Sequence, residues 1–133
     1  AYTILRAGTA RAVIAAGLHP ALGIHHRGPH DTFTLVDDLM EPFRPMADLL
    51  VQNLLSSGAE DVTPETKRDM AALLSFDMVT VRGTTPLSIC LSRLATSLAQ
   101  AYETRTARLD LPCAPLPLDL AALVGGKPAR HGP

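Results

Sequence analysis

The sequence predicts an all-α domain, and three observations lead to this prediction. Aromatic residues make up only 4% of the 133 residues and tryptophan is absent, so the core must be built from aliphatic residues that suit helices. Apolar residues recur at helical spacing through several long segments. With 47% hydrophobic and 19% charged residues, the composition fits a single packed domain rather than a disordered chain.

The first helix is predicted over residues 1–17. Its apolar residues fall near helical spacing, and Gly17 suits the position after the helix, where a left-handed backbone is common. Neither an initiating Met nor a capping residue precedes this pattern. We therefore expect the numbering to begin inside a longer element and the chain to be a fragment. A connection with prolines and glycines follows over residues 18–33.

The second helix is predicted to run from Thr34, as its capping residue, to about Ser57. Pro42 and Pro45 lie within it, and proline has no N–H group to donate, so the helix must kink or restart there. On a helical wheel one face carries three acids and one arginine, which we call the polar stripe: Asp37, Glu41, Arg44 and Asp48. Asp38 lies beside this stripe, and leucines line the opposite face.

Two further helices complete the predicted domain. The third helix is predicted to begin at Thr63-Pro64-Glu65, which combines a capping residue, a proline at the first helical position and an acid in the first turn. It is expected to run to about Phe76. The sequence DMVTVRGTT at residues 77–85 is interpreted as a short extended segment. Pro86 then opens a fourth helix, which is expected to end near Arg108.

The composition changes near residue 110, where prolines and then glycines become frequent. We therefore divide the chain into a helical domain at residues 1–109 and a flexible tail at residues 110–133.

Several classes of protein are excluded by what the sequence lacks. Cys90 and Cys113 stand alone without a CxxC pattern, so neither a disulfide framework nor a zinc site is indicated. Cys90 lies in an apolar helical run and is interpreted as a core residue. No apolar run approaches the length of a membrane span, and Arg6 and Arg11 rule out a signal peptide at the start. A cytoplasmic protein without membrane contact is expected.

The charges are distributed in blocks. Residues 1–30 carry three arginines and no carboxylate, whereas residues 31–77 carry ten acids against three basic residues. Residues 78–133 are basic again, with six basic and three acidic residues. Basic flanks around an acidic middle suit a surface that binds a polyanion through a divalent cation. Solvated helix faces produce the same pattern.

Candidate metal ligands are concentrated in residues 22–45, LGIHHRGPHDTFTLVDDLMEPFRP. The adjacent His25 and His26 precede the polar stripe by a connection short enough to fold back onto it. Most of the negative charge of the polar stripe has no basic partner within its own helix. The acids are therefore expected to repel one another unless a cation lies there. A histidine with carboxylates and no cysteine favours Mg²⁺ or Mn²⁺. The competing interpretation is an ordinary solvated face, with Asp38 as a helix cap and Arg44 paired to Asp37 or Asp48.

Two runs in this region, GLHPALGIHH and LVDDLMEPFRP, together resemble the CRISPR-associated endonuclease/integrase of spacer acquisition, the "Cas-one" family in its type II form. The helix PLSICLSRLATSLAQAYE and the later LDLPCAPL also fit, so the resemblance extends to about residue 118. It implies the C-terminal helical catalytic domain of that family, without the N-terminal β domain through which the family forms homodimers.

The resemblance also implies a site. The family binds Mg²⁺ or Mn²⁺ through a glutamate, a histidine and a further acid. The matching motif positions are His26 and Glu41 as metal ligands, with Asp38 ligating through water or orienting His26. The basic neighbours Arg27 and Arg44 are implied to bind phosphate. The family's first glutamate lies upstream of the first helix, and residues 1–40 contain no glutamate, so this fragment is expected to be inactive alone.

The implied reaction joins short DNA prespacers into the CRISPR array. A 3′-hydroxyl of the incoming DNA attacks a phosphodiester at the repeat boundary, and with water as the nucleophile the same site acts as a nuclease. The implied partners are prespacer and repeat DNA and the second adaptation protein, "Cas-two". The alternative function is a non-catalytic helical module whose acidic stripe binds a protein partner.

Overall fold

The computed structural model describes residues 1–25 and 32–113. Within these ranges the chain forms five α-helices: α1 (Tyr2–Ala15), α2 (Thr34–Met40), α3 (Arg44–Ser56), α4 (Pro64–Ala71) and α5 (Leu87–Thr104). Two 3-10 segments, Glu41–Phe43 and Ala72–Ser75, follow α2 and α4. A two-stranded sheet, β1 (Asp77–Thr80) and β2 (Gly83–Pro86), precedes α5. None of the helices in these ranges combines the length and apolar character that crossing a membrane requires.

The sheet corrects the all-α prediction, although the chain is mostly helical. β1 and β2 pair antiparallel, with Met78 opposite Thr85, and both of these side chains are buried. The extended segment predicted at residues 77–85 is this hairpin. Alternation of buried and exposed residues favours a strand, and Gly83, at φ +100°, gives the tight turn the left-handed backbone it needs. The run was too short to outweigh the helical composition in a fold-class prediction.

The core forms where α1, α2 and α5 meet. Leu5 and Val13 on α1 pack with Leu35 on α2 and Leu94 on α5, all of them almost completely buried. The 3-10 segment after α4 approaches α1 at Gly8, where an added Cβ would lie 2.7 Å from a methyl carbon of Leu74. The absence of a side chain at this glycine therefore allows the close contact.

The second predicted helix restarts at its prolines, as expected. α2 ends at Met40, the 3-10 segment Glu41–Phe43 follows, and α3 begins at Arg44 with Pro45 in its first turn. The cap assignment to Thr34 was wrong. Thr34 is buried, and its hydroxyl donates to the carbonyl of Ala21 and accepts from the N–H of Gly23. A buried hydroxyl needs such partners, so Thr34 ties the preceding connection to α2 instead of capping it.

Two further boundaries follow the sequence, whereas two helices end earlier than predicted. α4 ends at Ala71 and continues as a 3-10 segment to Ser75, where an α-helix to about Phe76 was expected. Gly17 has φ +76° after α1, and the hydroxyl of Thr63 accepts from the N–H of Thr66 at the start of α4. α5 ends at Thr104 rather than near Arg108, because Arg105 adopts a left-handed backbone with φ +54°. The chain then turns back toward the hairpin. The division at residue 110 stays a prediction, since residues 114–133 lie outside the described part of the chain.

Cys90 has the core position predicted for it. The residue is buried, and its thiol donates to the carbonyl of Thr85 at 3.7 Å. Burial raises the pKa of the Cys90 thiol, which keeps it protonated and unreactive.

Candidate functional site

The break between α2 and α3 positions the candidate site residues that the structure describes. Asp38 lies in the last turn of α2, Glu41 begins the 3-10 segment, and Arg44 begins α3. Asp38 and Glu41 line one groove of about 480 Å³ together with His25. Its apolar walls come from three separate parts of the chain, represented by Ile24, Leu94 and Leu109. The other two candidates, His26 and Arg27, lie outside the described residues.

The Asp38 carboxylate stabilises the backbone of the connection just before His26 in the sequence. Its Oδ2 atom accepts two backbone hydrogen bonds, from the N–H of Ile24 at 2.7 Å and from the N–H of His25 at 2.8 Å. Hydrogen bonds to a charged carboxylate are stronger than those between neutral groups. The carboxylate therefore joins α2 to the backbone immediately before His26, and these bonds run to the connection rather than capping a helix.

Loss of the Asp38 carboxylate is expected to release this connection. In Asp38→Ala both backbone hydrogen bonds disappear, and we expect a loss of about 1–2 kcal/mol in the free energy of unfolding. Hydrogen-exchange mass spectrometry should show faster exchange in a peptide that spans Ile24 and His25. Asp37→Ala is the matched control, because Asp37 makes its ion pair with Arg6 instead. Unchanged exchange in the Asp38 variant would contradict the role of this carboxylate.

Glu41, which lines the groove, forms an exposed ion pair with Arg44. Arg44 Nε lies 3.0 Å from Glu41 Oε1, with the two side chains 38% and 50% exposed. The Nε–H is not aligned for a hydrogen bond, so the contact is chiefly electrostatic. An exposed pair of this kind contributes little to stability, on the order of 0–1 kcal/mol. Glu41 can therefore leave Arg44 and bind a cation with little loss of folding free energy.

Tyr2 links the start of α1 to this ion pair. The guanidinium carbon of Arg44 lies 5.4 Å from the centre of the Tyr2 ring, within the range of a cation–π interaction. The Tyr2 hydroxyl donates to Asp48 on α3, and this hydrogen bond raises the pKa of Tyr2. Arg44 is thus held between a carboxylate and an aromatic ring, close to the first residues of the chain.

One acid of the polar stripe is paired with a residue of α1, and a helical wheel of the second helix alone could not show this. Arg6 binds Asp37 with two 2.8 Å hydrogen bonds, from Nε to Oδ1 and from Nη2 to Oδ2. Arg6 therefore brings a cation to the stripe from another helix, and repulsion along the stripe does not by itself require a metal ion. Tyr2 and Arg6 are one helical turn apart, so both lie on the same face of α1. This spacing was the signal in the sequence that could have revealed them.

The donor atoms present fit a hard cation only in part. Among residues 1–25 and 32–113, no group of three His, Cys, Asp or Glu side chains is close enough to hold a metal ion. Asp38 and Glu41 nevertheless bring two carboxylates to one groove, and carboxylate oxygens are the ligands that Mg²⁺ and Mn²⁺ prefer. The groove therefore offers part of such a site, and His26 follows directly after its lining residue His25 in the chain.

Comparison with known proteins identifies the family. The sequence profile of CRISPR associated protein Cas1 matches residues 1–78, which include α1, both proline breaks and the groove acids. The CRISPR-associated endonuclease Cas1 of Neisseria meningitidis serogroup C (strain 8013) is 32% identical over 114 residues, 84% of this chain. The chain spans 38% of the length of that relative. More than half of the chain matches the profile, and the chain therefore belongs to the Cas1 family of CRISPR-associated proteins.

Proposed function

We propose that the full-length protein is a metal-dependent DNA endonuclease and integrase, which inserts short foreign DNA segments into a CRISPR array. The family relative from Neisseria meningitidis is named an endonuclease, and it supports nuclease chemistry. The observation that carries the proposal is that Asp38, beside Glu41 in the same groove, accepts two backbone hydrogen bonds, from the N–H groups of Ile24 and His25. This carboxylate fixes the backbone that comes directly before His26 in the chain, and Glu41 lines the same groove.

Each candidate site residue has a proposed task. His26 and Glu41 would hold Mg²⁺ or Mn²⁺, which when bound supplies positive charge to the attacked phosphate and lowers the pKa of the attacking hydroxyl. Asp38 acts as a positioning residue by fixing the backbone before His26. Arg44, already beside Glu41, provides a guanidinium for a phosphate oxygen, and Arg27 is proposed to do the same.

The geometry also supports a ligand from upstream of α1. Tyr2 contacts Arg44, and Arg44 contacts Glu41, so the start of α1 lies next to the proposed metal ligand. A glutamate that precedes α1, as in the family, would enter the site from this side. We infer that the chain needs this upstream residue for activity and is inactive alone. Prespacer and repeat DNA, the second adaptation protein and a second copy of the full-length protein are its proposed partners, in the cytoplasm.

Metal removal and His26→Ala test the proposed function together. In the full-length protein, EDTA should abolish cleavage and strand transfer on labelled DNA, and Mn²⁺ or Mg²⁺ should restore both. His26→Ala should lower both rates by roughly 10³-fold or more, because loss of a ligand removes several kcal/mol of transition-state stabilisation. His19→Ala is the control, because His19 is exposed and does not line the groove, and it should retain most activity. Wild-type rates in the His26 variant would show that the site assignment is wrong.

The alternative function, a binding module that uses the polar stripe, is less well supported by the contacts. Asp37 and Asp48 already have partners in Arg6 and Tyr2, so less of the charge of the stripe is available to a protein partner. The binding module predicts that Glu41→Ala weakens complex formation and that added Mn²⁺ has no effect. DNA cleavage that depends on Mn²⁺ would therefore exclude a purely non-catalytic role.

A further inference from the structure

Tyr2, the first residue of α1, contacts two charged side chains of α3. Its ring lies over the Arg44 guanidinium, whose carbon is 5.4 Å from the ring centre, and its hydroxyl donates to Asp48 Oδ1. Arg44 and Asp48 are four residues apart on α3, about one turn, so one side chain of α1 spans both of them. We call these three residues the Tyr2 cluster.

The Tyr2 side chain is not part of the hydrophobic core. It is 40% exposed, whereas Leu5 and Val13 are the residues of α1 that are completely buried in the core. The contacts that Tyr2 makes are instead with charged groups on a neighbouring helix. They point to a role at Arg44 rather than in core packing.

The hydroxyl of Tyr2 occupies a carboxylate that would otherwise compete for Arg44. Opposite charges four residues apart on a helix attract each other, so Asp48 is a natural partner for Arg44. Asp48 accepts from the Tyr2 hydroxyl instead. Among the described residues, Glu41 is the only acid at ion-pair distance from Arg44. The cluster therefore keeps the guanidinium on the side of Glu41.

Arg44 has hydrogen-bonding capacity to spare at this place. Its Nε–H is buried and has no hydrogen-bond partner in the described part of the chain, although Nε lies 3.0 Å from Glu41 Oε1. A guanidinium group has a fork of N–H donors that matches the oxygens of a phosphate. Once Glu41 leaves Arg44 for a cation, the contact with the Tyr2 ring still holds the guanidinium. The donors of Arg44 are then available next to the proposed metal ligand.

From these contacts we propose that Tyr2 is a positioning residue, whose ring keeps the Arg44 guanidinium beside Glu41 to meet an oxygen of the reacting phosphate. This inference rests on the proposed function, because that function supplies the phosphate. Tyr2 acts through Arg44 and touches neither the DNA nor the cation. Loss of its ring should therefore slow the reacting step but leave DNA affinity nearly unchanged, since several phosphate contacts share the binding of a duplex.

Single-turnover cleavage of fluorescein-labelled duplex DNA by the full-length protein in Mn²⁺ tests this role. Tyr2→Leu removes the ring and should lower the rate roughly three- to thirtyfold. Its DNA affinity in EDTA should stay within about twofold of the parental value. Tyr2→Phe keeps the ring and should retain more activity than the leucine variant. Tyr102→Leu is the matched control, because Tyr102 is a 58% exposed tyrosine on α5 that does not line the groove, and it should keep the parental rate.

A double-mutant cycle separates action through Arg44 from a purely structural role. In an Arg44→Gln background, Tyr2→Leu should change the cleavage rate by less than about twofold, because the group that Tyr2 positions is already absent. Rate losses that multiply would mean that Tyr2 acts independently of Arg44 and would overturn the proposal. Equal losses in the leucine and phenylalanine variants would overturn the role of the ring.

Chemical modification of Arg44 gives a measurement that needs neither metal nor DNA. Phenylglyoxal reacts with guanidinium groups, and peptide mapping by mass spectrometry gives the rate at each arginine of the full-length protein in EDTA. Tyr2→Leu should make Arg44 react several times faster relative to Arg68, an exposed arginine of α4, because the ring no longer covers the Arg44 guanidinium. An unchanged ratio would overturn the proposal. Failure of the proposed function appears separately, as absence of metal-dependent cleavage in the parent.

Discussion

Replacing Glu41 with glutamine in the full-length protein is expected to lower metal-dependent DNA cleavage by roughly 10³-fold or more. The amide has nearly the same shape as the carboxylate but carries no negative charge, so it is a poor ligand for Mg²⁺ or Mn²⁺. The Glu41 side chain is 50% exposed and its pair with Arg44 is an exposed one. The free energy of unfolding should therefore change by less than about 1 kcal/mol.

Two measurements separate loss of the metal from loss of the fold. Single-turnover cleavage of labelled DNA in Mn²⁺ gives the rate, and calorimetric titration with Mn²⁺ gives the affinity of the site. Glu65→Gln is the matched control, because Glu65 lies in the first turn of α4 and does not line the groove. A Glu41→Gln enzyme that cleaves within tenfold of the parental rate would remove Glu41 from the metal site.

The local features of the fold were largely predictable, because each depends on residues close together in the sequence. Pro42 and Pro45 have no N–H group to donate, so they are excluded from a helix interior and a continuous helix must end before them. Thr63 caps α4 by accepting from an N–H only three residues away. Residues 77–85, which form the hairpin, were predicted to be extended, but this short segment did not change the predicted fold class. Four residues in each strand provide too short an alternation to compete with the helical pattern of the whole chain.

The partners of the site residues could not be predicted, because they come from other parts of the chain. The sequence left three roles open for Asp38, and its bonds to Ile24 and His25 depend on how a connection 13 or 14 residues earlier folds back. Likewise, the ion pair of Asp37 with Arg6 joins residues 31 positions apart. A helical wheel shows only contacts within one helix. It therefore could not show that residues of α1 pair with the acids of the polar stripe.

Phe43→Ala is expected to have the largest effect on stability. Phe43 is completely buried in the 3-10 segment between α2 and α3, and it is among the largest of the fully buried side chains. Its truncation removes apolar surface from the core and leaves a cavity, which should lower the free energy of unfolding by about 3–5 kcal/mol. Total stabilities are about 5–15 kcal/mol, so this loss is a large share. Urea denaturation of the full-length protein measures it through the transition that involves this domain.

The position of Phe43 couples core packing to the candidate site. Phe43 is two residues from Glu41 in the same 3-10 segment, so the packing that fixes its ring also fixes the backbone that presents the carboxylate. A Phe43→Leu variant keeps most of the apolar volume and should lose less stability than Phe43→Ala, because the remaining cavity is smaller. Mn²⁺ affinity should follow the same order in the variants that remain folded. Equal stability of the alanine variant and the parent would contradict the core position of Phe43, and unchanged Mn²⁺ affinity in a destabilised variant would contradict the coupling.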